Sequence, residues 1–148
     1  MNLKHLNLLL ADDDTDDCIF FKAALEKLPL STHLTTVHDG EQLMHLLLKE
    51  TYELPHVLFL DLNMPRKNGM ECLTEIRRNN KFKDLTVAIY STSAFDKDIE
   101  KAFNTGANMY IRKPNDFDAL KNILAKVMNI NWQHHTSSLN KENFLLNI

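Results

Sequence analysis

The amino-acid sequence predicts an open α/β fold, in which helices cover both faces of a parallel sheet. The first observation is that short apolar runs alternate with longer amphipathic segments along the chain. Such strict alternation of strand and helix patterns is typical of parallel sheets. The second is that the runs 6–11, 56–61 and 86–91 are almost continuously apolar. This favours strands that are buried on both faces.

Five strands and five helices account for the chain from residue 6 to residue 128. The strands are predicted at LNLLLA (6–11), HLTTVH (33–38), HVLFLD (56–61), TVAIYS (86–91) and NMYIRK (108–113). The helices carry apolar residues three or four positions apart and are predicted at 15–28, 40–49, 69–79, 96–104 and 116–128. In such folds ligands bind at the carboxyl ends of the strands, so the candidate site is expected there.

Length and composition fit one soluble domain and exclude several function classes. The chain has 148 residues, with 17 Lys and Arg against 20 Asp and Glu, and a net charge of −3. This balance does not favour nucleic-acid or anionic-membrane binding, which need a basic surface. No apolar run approaches the about 18 residues of a spanning helix, and the N-terminus does not resemble a signal peptide. We therefore expect a cytoplasmic protein. Cys18 and Cys72 fit no metal or redox spacing and are expected to be buried thiols.

The regular alternation ends near residue 129. We expect one domain over residues 1–129 and a C-terminal extension over 130–148 that could form a short helix. The extension begins polar, and its His134–His135 pair is expected to be solvated rather than metal-binding. It ends in apolar residues that include Phe144, Leu145 and Ile148. Because exposed apolar side chains favour burial, these are expected to pack on the domain or pair with another chain. A frayed tail is the alternative.

Polar side chains stand at the ends of four predicted strands. Asp12 and Asp13 follow the first strand, Asp61 ends the third, Ser91 ends the fourth, and Lys113 ends the fifth. Three carboxylates at one sheet edge raise one another's pKa values, and a hard cation such as Mg²⁺ relieves this repulsion. Asp61 could then attack a phosphoryl donor. Lys113 would neutralise charge, and Ser91 would donate a hydrogen bond.

The other acids after the first strand have a simpler interpretation. Asp14, Asp16 and Asp17 are expected to be an N-cap and first-turn acids of the first helix. Carboxylates there cap free N–H groups and interact well with the helix dipole.

Four segments together resemble a known family. LLLADDD, VLFLDLNMPRKNGMECL, VAIYSTS and GANMYIRKP resemble, in order and spacing, the receiver domain of two-component response regulators. The resemblance covers about residues 6–128. It implies a flavodoxin-like, doubly wound, five-stranded parallel sheet of order 2-1-3-4-5 with five helices. The segment DLNMPRKNG also resembles the corresponding segment of the stand-alone receivers that partner phytochrome-type histidine kinases.

The resemblance implies the phosphoacceptor and its metal. Asp61 would be the phosphoacceptor. The metal would be held by the carboxylates of Asp12, Asp13 and Asp61 and by the backbone carbonyl of Asn63. The cofactor would be Mg²⁺, for which Mn²⁺ could substitute.

The resemblance also implies a switch. Ser91 and Lys113 would contact the phosphoryl group, and Ser91 with Tyr110 would form the switch pair. The Lys113–Pro114 bond would be cis and turn Lys113 back over the pocket. The surface read by a partner is expected around residues 95–126, formed by the fourth helix, fifth strand and fifth helix.

Three functions were compared. The resemblance implies a response regulator that takes a phosphoryl group from a sensor histidine kinase or histidine phosphotransfer protein and signals to a downstream protein. It would be no enzyme beyond its own phosphorylation and slow aspartyl-phosphate hydrolysis, would not bind DNA or membranes directly, and could form a homodimer. A Mg²⁺-dependent hydrolase with an aspartyl nucleophile would resemble a D-x-D pattern, whereas position 63 is Asn63. A receiver-like binding scaffold would not need the complete set of site residues.

Overall fold

A computed structural model describes residues 5–129 and 144–146 of the chain. Every predicted strand and helix is present, with ends shifted by at most two residues. The elements in chain order are β1 (Leu6–Ala11), α1 (Thr15–Glu26), β2 (Thr32–Val37), α2 (Gly40–Leu48), β3 (Val57–Leu60), α3 (Gly69–Arg78), a 3₁₀ turn (Asn80–Phe82), β4 (Thr86–Ser91), α4 (Asp96–Thr105), β5 (Met109–Arg112), α5 (Phe117–Met128) and β6 (Leu145–Leu146).

The sheet is parallel throughout and has the order β2-β1-β3-β4-β5-β6. The predicted order 2-1-3-4-5 is therefore confirmed, and β6 extends the sheet beside β5. The strand order reverses between β1 and β3, which pair from Leu8↔Val57 to Ala11↔Leu60. The loops that follow β1 and β3 leave this point in opposite directions. A crevice therefore opens at the carboxyl ends of these two strands, which is where such sheets bind ligands.

The core lies on both faces of the sheet, as the continuously apolar strands predict. One face packs against α2, α3 and α4, and the other packs against α1 and α5. All four residues of β3 are buried. Within the described residues, no helix has the length and apolar character needed to cross a membrane.

Side-chain caps fix where most of the helices begin. Asp14 caps α1 by accepting a hydrogen bond from the Asp17 N–H at 3.1 Å, as its position predicts. Asp39 and Asp116 cap α2 and α5 in the same way. Asn68 forms a reciprocal capping box with Glu71 at the start of α3. These caps satisfy N–H groups that have no partner inside the helix, and they hold the loops that carry the site.

The end of the C-terminal extension packs on the domain. Phe144 is 1% exposed, and its ring lies 5.2 Å from that of Phe103 and 6.3 Å from that of Tyr110. Leu145 pairs with Tyr110 in the sheet. The expectation of packing is confirmed for Phe144 and Leu145. Ile148, residues 130–143 with their histidines, and the predicted short helix there lie outside the described residues.

The Lys113–Pro114 peptide bond is trans, so the predicted cis bond is wrong. The lysine does not need the cis turn, since its Nζ already lies 2.8 Å from Asp12 Oδ2. A long lysine side chain spans this distance from the strand end, and an X-Pro bond favours trans by about 0.5–1 kcal/mol.

Candidate functional site

Three carboxylates meet at the carboxyl ends of β1 and β3. Asp12, Asp13 and Asp61 each place an oxygen within 4.8 Å of the other two. Asp12 is 0% and Asp61 5% exposed, whereas Asp13 is open to solvent. The Asp61 N–H donates to the Ala11 carbonyl at 3.0 Å, which continues the β1–β3 ladder by one residue. The sheet therefore fixes both acidic backbones side by side.

Lys113 lies among these acids. Its side chain is 8% exposed, and Nζ is 2.8 Å from Asp12 Oδ2, 2.8 Å from Asp17 Oδ2 and 3.4 Å from Asp61 Oδ2. Nζ donates hydrogen bonds to Asp17 and Asp61. Its approach to Asp12 is a charge contact without hydrogen-bond geometry, because Asp12 Oδ2 is buried with no hydrogen-bond partner among the described residues. The Tyr90 ring, 5.3 Å from Nζ, covers the ammonium from one side.

The electrostatics leave Asp61 poorly ionised without a further cation. Burial raises the pKa of the Asp61 carboxyl to about 7, and the negative charge of Asp12 adds to the rise. Lys113 and the Asn63 N–H act in the opposite direction. Burial by itself would lower the pKa of Lys113, but Asp12, Asp17 and Asp61 outweigh it and raise that pKa. The lysine therefore stays charged, and Asp61 is partly protonated near neutral pH.

The donor set fits a hard divalent cation. Asp12 Oδ2 is buried, and the Lys113 ammonium that faces it at 2.8 Å is shared with Asp17 and Asp61, so one positive charge serves three carboxylates. Mg²⁺ prefers carboxylate oxygens and keeps several waters, and the exposed Asp13 leaves room for them. The Asn63 N–H donates to Asp61 Oδ1 at 3.3 Å. The predicted metal role of the Asn63 carbonyl stays a prediction.

A second polar group lies at the end of β4. Ser91 is 0% exposed, and its Oγ accepts a hydrogen bond from the Ser93 N–H at 3.1 Å. Tyr110 is also fully buried, and its hydroxyl donates to the Ser93 carbonyl at 3.0 Å. The predicted switch residues are thus linked through Ser93. Because Phe144 contacts the Tyr110 ring, this link continues to the C-terminal extension.

The loop after Asp61 is held tightly against the site. A Cβ added to Gly69 would lie 2.1 Å from the Asp61 carbonyl oxygen, so only glycine allows α3 to begin there. The Gly69 N–H donates to the Leu62 carbonyl at 2.9 Å. The loop is held by the β-sheet at Asp61 and by this hydrogen bond at Gly69, and both contacts fix the Asp61 backbone.

The structure brings Asp12, Asp13, Asp61 and Lys113 together as predicted. Sequence reasoning missed Asp17, which it assigned only to the helix dipole. A signal was present, because Asp17 follows Asp13 by four residues and residues four apart share a helix face. The helix begins at Thr15, however, so the pattern alone did not establish which residues share that face.

Residues 8–125 match the family model described as the response regulator receiver domain. The chain belongs to this family. A chemotaxis protein CheY homolog of Campylobacter jejuni is 31% identical over 123 residues, covering 83% of this chain and 92% of that protein. Family membership implies a histidine kinase partner and a downstream target for this receiver domain.

Solved receiver structures have the same fold. The crystal structure of the Mn²⁺-bound form of response regulator Rcp1 aligns with a TM-score of 0.77 at 24% identity, covering 91% of this chain and 97% of that one. The phosphorylated cyanobacterial phytochrome response regulator RcpA aligns with a TM-score of 0.76 at 30% identity, covering 84% and 91%. The receiver domain described here therefore has the flavodoxin-like fold that its sequence predicts.

Proposed function

We propose that this receiver domain accepts a phosphoryl group on Asp61 from a phosphohistidine of a sensor histidine kinase or histidine phosphotransfer protein. The observation that carries the proposal is the position of Asp61. It lies at a strand end, 3.4 Å from the Lys113 ammonium and within 4.8 Å of the Asp12 and Asp13 carboxylates. A phosphorylated form is known for the related protein RcpA.

The transfer uses Asp61 as a nucleophile. A carboxylate oxygen of Asp61 forms a bond to phosphorus while the phosphorus–nitrogen bond of the phosphohistidine breaks. The electron pair returns to the imidazole nitrogen, which takes up a proton from solvent. Lys113 neutralises part of the charge on the phosphoryl oxygens, and Ser91 donates its hydroxyl to one of them, because phosphoryl transfer depends chiefly on positioning and charge.

Asp12, Asp13 and Asp61, with the Asn63 carbonyl, would hold the metal. We expect Mg²⁺, with Mn²⁺ as a substitute, and support comes from the Mn²⁺-bound form of Rcp1 and from the three carboxylates whose oxygens lie within 4.8 Å of one another. The cation supplies positive charge that keeps Asp61 ionised and neutralises the transferred group. With burial raising the Asp61 pKa to about 7, this charge is needed for a good nucleophile.

The signal would pass from the pocket to the surface formed by α4, β5 and α5. Ser91 would turn toward the phosphoryl group, and the Tyr110–Ser93 hydrogen bond supports a path from there to β5. The reader is expected to be another protein. Absence of direct DNA or membrane binding and the option of a homodimer stay predictions.

Hydrolysis of other substrates is a weaker proposal. An aspartyl hydrolase of the D-x-D pattern has its general acid two positions after the nucleophile, and here that residue is Asn63, which has no carboxyl group. We therefore propose that the chain is not an enzyme beyond its own phosphorylation and the slow hydrolysis of its aspartyl phosphate.

The test is labelling by a small acyl phosphate with Mg²⁺. Intact mass spectrometry should show one base-labile phosphate adduct, absent from Asp61→Asn and from samples with EDTA. Asp13→Ala should be labelled slowly and lose the rise in melting temperature that millimolar Mg²⁺ gives the wild type, since only the folded state binds the ion.

Two results would contradict the proposal. Labelling of a histidine or serine instead of Asp61 would refute the phosphoacceptor. An unchanged Mg²⁺ response in Asp13→Ala, with Asp16→Asn as the matched charge control, would refute the metal site.

A further inference from the structure

Resting on the proposed phosphoacceptor function, we propose that Asp17 is a positioning residue that holds the Lys113 ammonium in place for the phosphoryl group. The observation is the 2.8 Å hydrogen bond that Lys113 Nζ donates to Asp17 Oδ2. No part of the phosphoacceptor chemistry described above uses this contact.

Asp17 and Asp12 are the carboxylates nearest to the Lys113 ammonium, each with an oxygen 2.8 Å from Nζ. The bond to Asp61 is longer, at 3.4 Å. Charge-assisted contacts near 2.8 Å are the strong ones. Asp17 therefore shares with Asp12 the largest part in directing the ammonium.

Asp17 becomes more important for holding Lys113 when a cation is bound and Asp61 is phosphorylated. Asp12 is expected to bind the cation, and Asp61 would carry the phosphoryl group. Asp17 then remains the carboxylate that holds the ammonium without taking part in metal binding or transfer. A free lysine side chain loses rotamer entropy when it is held in one conformation, so holding it in advance favours a productive contact.

Asp17 is itself well placed for this role. Its N–H is bound by the Asp14 cap at 3.1 Å, which fixes its backbone in the first turn of α1. Its side chain is 34% exposed, so it keeps contact with water while it holds the lysine. Asp16, on the same turn, is exposed and differs from Asp17 in having no contact assigned to Lys113. It therefore serves as a matched control for the loss of one negative charge.

Competition for the ammonium is the alternative effect of the same contact. The negative charge of Asp17 could compete with the phosphoryl group for the ammonium, in which case its removal would speed labelling. Positioning and competition predict opposite signs, and Asp17→Asn separates them further because an amide oxygen keeps the hydrogen bond without the charge.

The experiment compares Asp17→Ala, Asp17→Asn and Asp16→Asn with the wild type. Labelling by an acyl phosphate with Mg²⁺ and the dissociation constant for beryllofluoride are measured. In Asp17→Ala the labelling rate should fall about tenfold and the dissociation constant for beryllofluoride should rise about tenfold, as expected for the loss of one charge-assisted hydrogen bond. Asp17→Asn should recover most of the loss, and Asp16→Asn should equal the wild type.

A second measurement uses the metal-free protein. Side-chain ammonium groups give NMR signals when hydrogen bonds slow their exchange with water, and the Lys113 signal is assigned by its loss in Lys113→Ala. It should disappear in Asp17→Ala and persist in Asp17→Asn. If Asp17→Ala fails to fold, Asp17→Ser takes its place.

The inference is overturned if Asp17→Ala is labelled at the wild-type rate or faster, or if Asp16→Asn loses as much. A lower melting temperature with unchanged labelling would show a purely structural role and also overturn it. If the wild type is not labelled at all, the proposed function itself fails, whereas labelled wild type with equally labelled Asp17→Ala refutes this inference alone.

Discussion

Asp61 combines two properties that oppose each other in the metal-free protein. The proposed attack on phosphorus requires it to be ionised, yet it is 5% exposed and lies beside the buried Asp12. Lys113 offsets only part of this, since it is shared among three carboxylates. The fold therefore holds an unfavourable cluster of negative charge, which a bound cation would relieve.

This cluster predicts how stability depends on pH. Burial raises the Asp61 pKa to about 7, from an unfolded value near 4. The folded state binds the extra proton between these values, so stability from this group is present below about pH 4 and is lost as pH rises toward 7. In EDTA, the free energy of unfolding of Asp61→Asn should increase relative to that of the wild type as pH rises through this window, by on the order of 2 to 4 kcal/mol at pH 8. Urea unfolding at several pH values measures it.

A constant difference between Asp61→Asn and the wild type across pH 4–8 would contradict the charge-cluster argument. Added Mg²⁺ provides the control, since it should narrow the difference at pH 8 by stabilising the ionised Asp61 of the wild type.

At the residue scale, the sequence was most informative where residues combine. Asp12, Asp61 and Lys113 were placed correctly because parallel strands bring their carboxyl ends to one edge. Asp17 was missed because its contact with Lys113 depends on the orientation of α1 relative to β5, which no local pattern specifies. The trans Lys113–Pro114 bond was missed because the family resemblance was followed against the intrinsic preference.

At the scale of elements, β6 and the preceding Phe144 cover part of the predicted output surface. The Phe144 ring packs edge-on against Phe103 of α4 at an interplanar angle of 75° and also lies against Tyr110 of β5. A partner that reads α4 and β5 must therefore accept this segment as part of the surface or displace it.

This packing predicts a large cost for Phe144→Ala. Truncating a buried phenylalanine typically costs about 3–5 kcal/mol through lost burial and a cavity. Phe95→Ala is the matched control, because Phe95 is 72% exposed and its truncation should change stability by less than about 0.5 kcal/mol. Urea denaturation of both variants measures the difference. Equal stability of the two variants would show that Phe144 does not hold the extension on the domain.

The element pattern was predictable because strand and helix periods differ clearly in this chain. The strand β6 was not predicted, since Leu145–Leu146 is only two residues long and its pairing depends on the open side of β5. The apolar character of this segment predicted that it would be buried, but not that it would pair with β5 as a strand.

At the scale of the whole molecule, phosphorylation is expected to change the protein on one side. Ser91, Ser93, Tyr110 and Phe144 form a continuous chain of contacts from the pocket to the extension. A packed chain with two arrangements is the kind of element that a switch requires.

Amide hydrogen exchange with and without beryllofluoride and Mg²⁺ tests this. Protection should change mainly in residues 91–126 and in 144–146, because Tyr110 contacts both Ser93 and Phe144. Asp61→Asn, which removes the acceptor, should show no change. If the changes are confined to the surroundings of Asp12, Asp13 and Asp61, the pocket binds the mimic without signalling through this side.

The strand order illustrates what the sequence leaves open for a whole molecule. Alternating patterns require a parallel sheet, but the order 2-1-3-4-5 came from the family resemblance. Several orders satisfy the same local patterns, since β3 and β4 are each buried on both faces and could pair with more than one neighbour. The order is decided by how the complete set of helices packs.

The pairing of β6 with β5 also bears on solubility. Without it, Tyr110 and Ile111 would lie on an unpaired apolar edge, and such edges recruit strands from other chains and promote aggregation. The opposite edge, β2, differs because its sequence THLTTV is largely polar and half exposed. Truncating the chain before Phe144 would therefore expose an aggregation-prone strand edge and also uncover the predicted output surface. Single substitutions are the cleaner way to study this protein, because self-association of truncated chains would imitate a regulated dimer.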